Sequence, residues 1–364
     1  MKKTILYYPT INIPNNSWLR NSLLYWDEVS SIVPKSWDDK ILVNVSEDIK
    51  FLIDEGEFRP IKPEDLILKT DNWLISEQFT NEFLEIATSE NFKHFIDVQN
   101  HLDRYTGRKT EYEYLKIHNN KVSGNLRDRL EQLNLAFTNG GYEWIFFEKY
   151  TAYLYMSILA KYLAEIDSEF TTISTDNTIY ENFNFKQQVF ENKLPVISCN
   201  LNNLLPTPNL DTPIKNLIKF KKKRKDNLDH FRKLITAYES KLSKATSNYE
   251  IKEASIIFQD EIKNGVSDLT KVLNDAKLKH SFKSLKSLIS FKSAPLVAAT
   301  VGGIAEKIDL LNIPLELKIT GLAVTGLINI SSDYIDFRNE KGGKLRESPF
   351  SYLYYARSNN LIQR

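Results

Sequence analysis

Four side chains have types and positions suited to acid–base chemistry: Tyr8, His118, Lys121 and Asp176. Tyr8 follows an apolar run that reads as a first strand. His118 and Lys121 flank the end of a second strand-like stretch, and Asp176 closes a third. If these strands are parallel neighbours, all four come together at the C-terminal edge of one sheet, where open α/β folds hold ligands. An imidazole, an amine and a carboxylate there could move protons on a small polar or phosphorylated ligand. The competing reading is structural: Asp176 caps a helix, Lys121 makes an ion pair and His118 packs.

Two further clusters invite chemistry. His94, Asp97 and His101 stand at i, i+3 and i+7, so one helix face could aim all three at a metal ion. No further ligand and no metalloprotease signature accompanies them, so solvated helix residues are favoured and no metal is expected. Lys219, Lys221, Lys222, Lys223, Arg224 and Lys225 form a basic run interrupted by Phe220. Such runs attract phosphate backbones through counterion release. On a helix these residues spread around nearly two turns, and Asp226 and Asp229 follow at once, so a solvated face is favoured over nucleic acid. The sequence has no Gly-rich phosphate loop, nucleophile elbow or zinc signature, and no cofactor is expected.

The elements that must position these residues are legible from apolar spacing. Ile5-Leu-Tyr-Tyr predicts a strand, and Asn16 or Ser17 can cap a helix carrying Leu19, Leu23, Trp26, Val29 and Val33 until Pro34 stops it. Ile41-Leu-Val-Asn-Val predicts a second strand, with Ser46 capping a helix that ends at Gly56. Leu74 to Tyr105 reads as helical, Glu111 to His118 as a strand, and Asn125 to Ala136 as a helix. Trp144 to Ile166 reads as a helix buried on most sides, and Phe170 to Asp176 as a strand with a polar end. Beyond Pro206-Thr-Pro208, Leu217, Phe220, Arg224, Leu228, Phe231, Ile235 and Tyr238 step by three or four along one long helix, Ile214 to about Ser240. Lys-rich helices continue to Ser293.

Two apolar, glycine-lightened segments follow, Ala294–Ala305 and Ile319–Ile330, read as a helical hairpin over 294–332. As helix, the first spans about 18 Å, too short for a hydrocarbon core of ~30 Å. The expected fold is therefore helix-dominated, between α+β and α/β. An α/β module with a small, mainly parallel sheet occupies residues 1–208, and a helical domain occupies 209–364.

Composition narrows the function classes. The 364 residues carry 48 Lys+Arg against 47 Asp+Glu, so bulk charge gives no support to a nucleic-acid coat. One cysteine, Cys199, excludes an intramolecular disulfide framework and a cysteine-rich zinc site. The Met1-Lys-Lys start precedes an apolar run that Pro9 ends too early for a signal peptide, so the cytoplasm is the expected compartment.

The residues also carry a resemblance. Leu6-Tyr-Tyr-Pro, Trp18-Leu, Leu24-Tyr-Trp-Asp, Ile32-Val-Pro, Leu52-Ile-Asp and Arg59-Pro-Ile resemble motifs of a bacterial family of unknown function. Ile117-His-Asn-Asn-Lys, Tyr155-Met-Ser-Ile-Leu-Ala, Thr175-Asp176 and the stretch from Leu205-Pro-Thr-Pro to Phe231-Arg232 extend it over roughly the first two-thirds of the chain. Ser348-Pro-Phe-Ser-Tyr-Leu-Tyr is similar to the ends of such proteins. The resemblance implies kinship and no established activity. The leading expectation is a non-enzymatic interaction, sensor or accessory protein with a protein partner or self-association. Anti-phage defence is one setting for such a multi-protein system. The alternatives are an enzyme or small-ligand binder at the sheet edge, then nucleic-acid binding through 219–225.

Overall fold

A computed structural model of the chain describes residues 3–37, 46–67, 73–105, 114–141, 143–167, 170–176, 205–244, parts of 250–265, and 348–362. The described residues fall into two compact units, the first reaching Asp176 and the second starting at Leu205.

The first unit opens with β1 (Lys3–Tyr7), whose last four residues are all buried. Asn16 caps α1 (Ser17–Tyr25), its Oδ1 accepting the Leu19 N–H at 3.2 Å. The helix expected to run on to Val33 stops at Tyr25. Trp26 is extended, and Glu28–Ile32 is β2, parallel to β1 with Thr4 opposite Glu28 and Tyr7 opposite Ser31. Val29 and Val33 continue the helical spacing of Leu19, Leu23 and Trp26 by coincidence. All five β2 residues are buried, and a strand covered on both faces has no alternation to betray it. The strand expected at Ile41–Val45 lies outside the described residues.

Ser46 caps α2 (Glu47–Asp54), accepting the Ile49 N–H at 3.3 Å. The chain then reverses through Gly56, whose φ of +69° suits glycine, into β3 (Phe58–Ile61), which pairs parallel with β2. After the short α3 (Pro63–Leu66) come α4 (Trp73–Ala87) and α5 (Glu90–Tyr105).

A second sheet follows, built from β4 (Tyr114–His118), β5 (Ala136–Thr138) and β6 (Trp144–Glu148), all pairs antiparallel and β6 central. The helix between β4 and β5, α6 (Gly124–Gln132), ends short of the expected Ala136, because Asn134 turns the chain at φ 56°. The helix expected from Trp144 begins only at Lys149, since its first residues are β6. At that junction the Glu148 carboxylate accepts from the Tyr150 and Thr151 N–H groups at 3.1 and 2.8 Å, capping α7 (Lys149–Ile166). Every α7 residue from Lys149 to Glu165 is buried. Its two lysines are tolerated there because each meets an acid: Lys149 with Asp103 at 2.9 Å, Lys161 with Glu82 at 2.7 Å. Edge-on rings of Phe79 and Phe83 pack against Tyr155 in the same core.

Finally β7 (Phe170–Ser174) pairs parallel with β1, giving the sheet order β3-β2-β1-β7. The chain is thus a helix-dominated α+β protein whose N-terminal sheet is small and parallel.

In the second unit the long helix expected over 214–240 is two helices. α8 (Ile214–Lys223) ends at Arg224, whose φ of −116° and ψ of 28° break the ladder, and α9 (Lys225–Lys244) continues. The Arg224 guanidinium lies 3.6 Å from the Tyr355 ring centroid, a cation–π contact that holds the break. The stripe Leu217, Phe220, Leu228, Phe231, Ile235 and Tyr238 is buried throughout. Tyr352 of α10 (Ser351–Ser358) takes Phe220 and Phe231 at ring distances of 5.3 and 6.4 Å. Cys199 and the apolar segments over 294–332 lie outside the described residues.

Candidate functional site at the edge of the parallel sheet

Chain order and strand order part company at one place in the parallel sheet. β1, β2 and β3 follow one another in one direction, and β7 is added on the other side of β1. In open α/β sheets such a change of strand order is where ligands are held, beyond the C-terminal ends of the two strands that flank it, here β1 and β7. Tyr7 is the last residue of β1, and its register partner in β7 is Ser174, two residues before Asp176.

Asp176 is half-buried and held from two sides. Tyr7 donates its hydroxyl to Oδ1 at 3.0 Å, and Asn16 donates Nδ2 to Oδ2 at 2.6 Å. The Asn16 amide can point only one way, because its oxygen already caps α1. Trp18 donates Nε1 to Ser174 Oγ at 2.9 Å and sets its indole 4.7 Å from the Tyr7 ring. Burial, then the Asp176 charge, push the Tyr7 phenol well above the usual tyrosine range, so it stays a proton donor.

His118 and Lys121 sit elsewhere along the same edge, beyond β2. Lys121 ends a 3-10 turn (Asn119–Lys121), is buried, and donates to the carbonyl of Ile32, the last residue of β2, at 2.8 Å. Burial lowers its pKa to about 7, against the opposing charge of Glu64. Nearby, Tyr155 donates its hydroxyl to the Lys121 carbonyl. Glu64 accepts the Lys35 N–H through Oε1, while its buried Oε2 has no hydrogen-bond partner.

His118 is buried against Trp144. Its Nδ1 accepts the Asn120 N–H at 3.2 Å, so in the neutral ring the proton belongs to Nε2. Nε2 in turn faces Ser36 Oγ at 3.5 Å and Glu143 at 3.8 Å. A ring with that tautomer donates toward Ser36 and has no lone pair there to act as its base.

Tyr8 is buried in the core formed with Leu6, Ile32 and Tyr155, and its neighbour Tyr7 makes the contact to Asp176. The structure therefore joins Asp176 to Tyr7 and Asn16, and places His118 and Lys121 around the end of β2. Sequence spacing flagged Asn16 as a cap but carried no sign of its second bond. His94, Asp97 and His101 are exposed on α5, and no group of three or more His, Cys, Asp or Glu gathers for a metal among the described residues. Within the basic run Lys219, Lys222, Lys223 and Lys225 are exposed, Arg224 lies over Tyr355, and Lys221 is buried, which corrects its reading as part of a solvated face. No helix among the described residues is long and apolar enough to cross a membrane.

The model of a family of unknown function, DUF6236, matches residues 132–360. The chain belongs to this family. No curated protein and no solved structure matches it. The DUF6236 match contains Asp176, α7, β7 and all described elements of the second unit, whereas Tyr7, Asn16, His118 and Lys121 precede it.

Proposed function

We propose that this DUF6236 protein is a non-catalytic intracellular sensor whose α/β module takes a small polar ligand beyond the C-terminal ends of β1 and β7. One observation carries the reading: a half-buried carboxylate, Asp176, is fixed by Tyr7 and Asn16 where strand order reverses. A held carboxylate accepts hydrogen bonds, so the ligand it suits presents hydroxyl or ammonium donors. Binding without catalysis is favoured because His118 keeps its basic nitrogen occupied by Asn120 and the Lys121 ammonium is turned to a main-chain carbonyl.

The test is ligand-observed NMR and thermal shift with ribonucleosides, free sugars and amino acids. Saturable binding of at least one probe, lost in Asp176→Asn with the fold retained, is the expected result. Equal response of wild type and variant to every probe would sink the proposal.

A further inference from the structure

The antiparallel sheet has two unlike faces. Ile117, Ala136, Ile145 and Phe147 point into the core. Cross-strand register sets Lys116 and Phe137 on either side of Phe146, on the opposite face. There Phe137 stacks on Phe146 at 5.2 Å and takes Tyr114 edge-on at 5.0 Å. Burial would be the ordinary fate of such rings, yet Phe137 is 41% and Tyr114 44% exposed.

Charge on this face has one sign to offer. The Lys116 ammonium lies 5.4 Å from the centre of the Phe146 ring, and it has no ion pair among the described residues. Glu148 shares the register, but both of its oxygens accept from the N-terminus of α7, which offsets its charge. Three rings also make a small patch. A stable protein interface takes about 20–30 residues a side, whereas one to three nucleobases need only as many rings.

We infer that this face is a stacking platform for single-stranded nucleic acid: Phe137 and Tyr114 present ring surface to bases, and Lys116 meets a backbone phosphate. Stacking on rings is tolerant of sequence because every base has a π face. Its residues belong to the first unit, whereas the basic run belongs to the second.

Fluorescence anisotropy with short labelled oligothymidylate and oligouridylate, read across a salt series, tests it. Saturable binding is expected, weakened at least about fivefold by Phe137→Ala and retained by Phe137→Trp. Lys116→Gln should reduce the salt slope by roughly 0.7, the share of one phosphate on a single strand. All three variants should keep the wild-type circular dichroism, which is checked first, and Phe137→Ala, which loses two ring contacts, should lower the melting midpoint by only a few degrees. Three results would overturn the inference: no binding at low salt, binding unchanged by Phe137→Ala, or a Phe137→Ala effect on self-association alone. Loss of binding only on neutralising Lys219, Lys222, Lys223 and Lys225 would overturn it too, moving the contact to the other unit.

Discussion

The Lys121 ammonium is bonded to the Ile32 carbonyl at 2.8 Å, so a cation from the second sheet's turn terminates a strand of the first. Its pKa falls from an ordinary 10.5 to about 7. Between those values the unfolded chain holds a proton that the folded chain has released, so stability rises with pH across that window. Below about 7 both states are protonated and the full burial penalty stands. Lys121→Met should flatten the rise, which is a few kcal/mol in wild type, while adding a pH-independent cost for the stranded Ile32 carbonyl of about 1–3 kcal/mol. Urea midpoints taken from neutral to alkaline pH for both proteins check this. Parallel curves would mean that the ammonium is not the group responsible.

Asp176→Asn should cost about 1–3 kcal/mol, because two hydrogen bonds lose their charged acceptor. It should also bring the Tyr7 pKa down toward its ordinary 10.0 while leaving it elevated, since burial is the largest cause and remains. Carbon-labelled tyrosine NMR through an alkaline titration reads both points. A Tyr7 resonance that titrates identically in wild type and variant contradicts the bond.

Phe231 is fully buried, stacked on Tyr352, and its truncation to alanine should cost on the order of 3–5 kcal/mol. Gly265 tests the same unit from the opposite direction. A Cβ added there would sit 2.0 Å from the Phe350 ring, so Gly265→Ala should destabilise by about 1–3 kcal/mol through overpacking. Phe350→Leu should recover part of that loss in the double variant, measured by denaturant unfolding. Additive losses would show that the two positions do not meet.

Within the basic run, burial divides neighbours. Lys222→Gln with Lys223→Gln should move stability by less than about 0.5 kcal/mol, as exposed charges do. Lys221→Gln should cost clearly more, because its stem is packed away from water. Equal, negligible effects at all three positions would return Lys221 to the solvated face.

Local signals read well in this chain and pairing did not. Asn16 and Ser46 announce their helices because caps act within three residues, and the Leu217 to Tyr238 stripe is written at helical spacing. β2 is hidden because Val29 and Val33 extend the period of α1. β6 is hidden because its outward positions also carry the rings of Trp144 and Phe146, which masks its alternation just before the buried α7 begins. At the site, the difference between Tyr7 and Tyr8 is a one-residue shift that reverses which face a side chain takes. Only the register with β7 decides it, and register is a long-range property.

The two ends of one amide explain why Asn16 is poorly replaceable. Serine, threonine, aspartate and asparagine all cap helices, so the start of α1 alone would accept any of them. The bond to Asp176 narrows that choice sharply. Serine and threonine have a single short hydroxyl that cannot both accept from Leu19 and reach across to the carboxylate, and aspartate would set two anions face to face. Asparagine alone of the four carries its acceptor and its donor on two separate atoms, so a position that looks freely exchangeable by helix chemistry is constrained by a residue 160 places away.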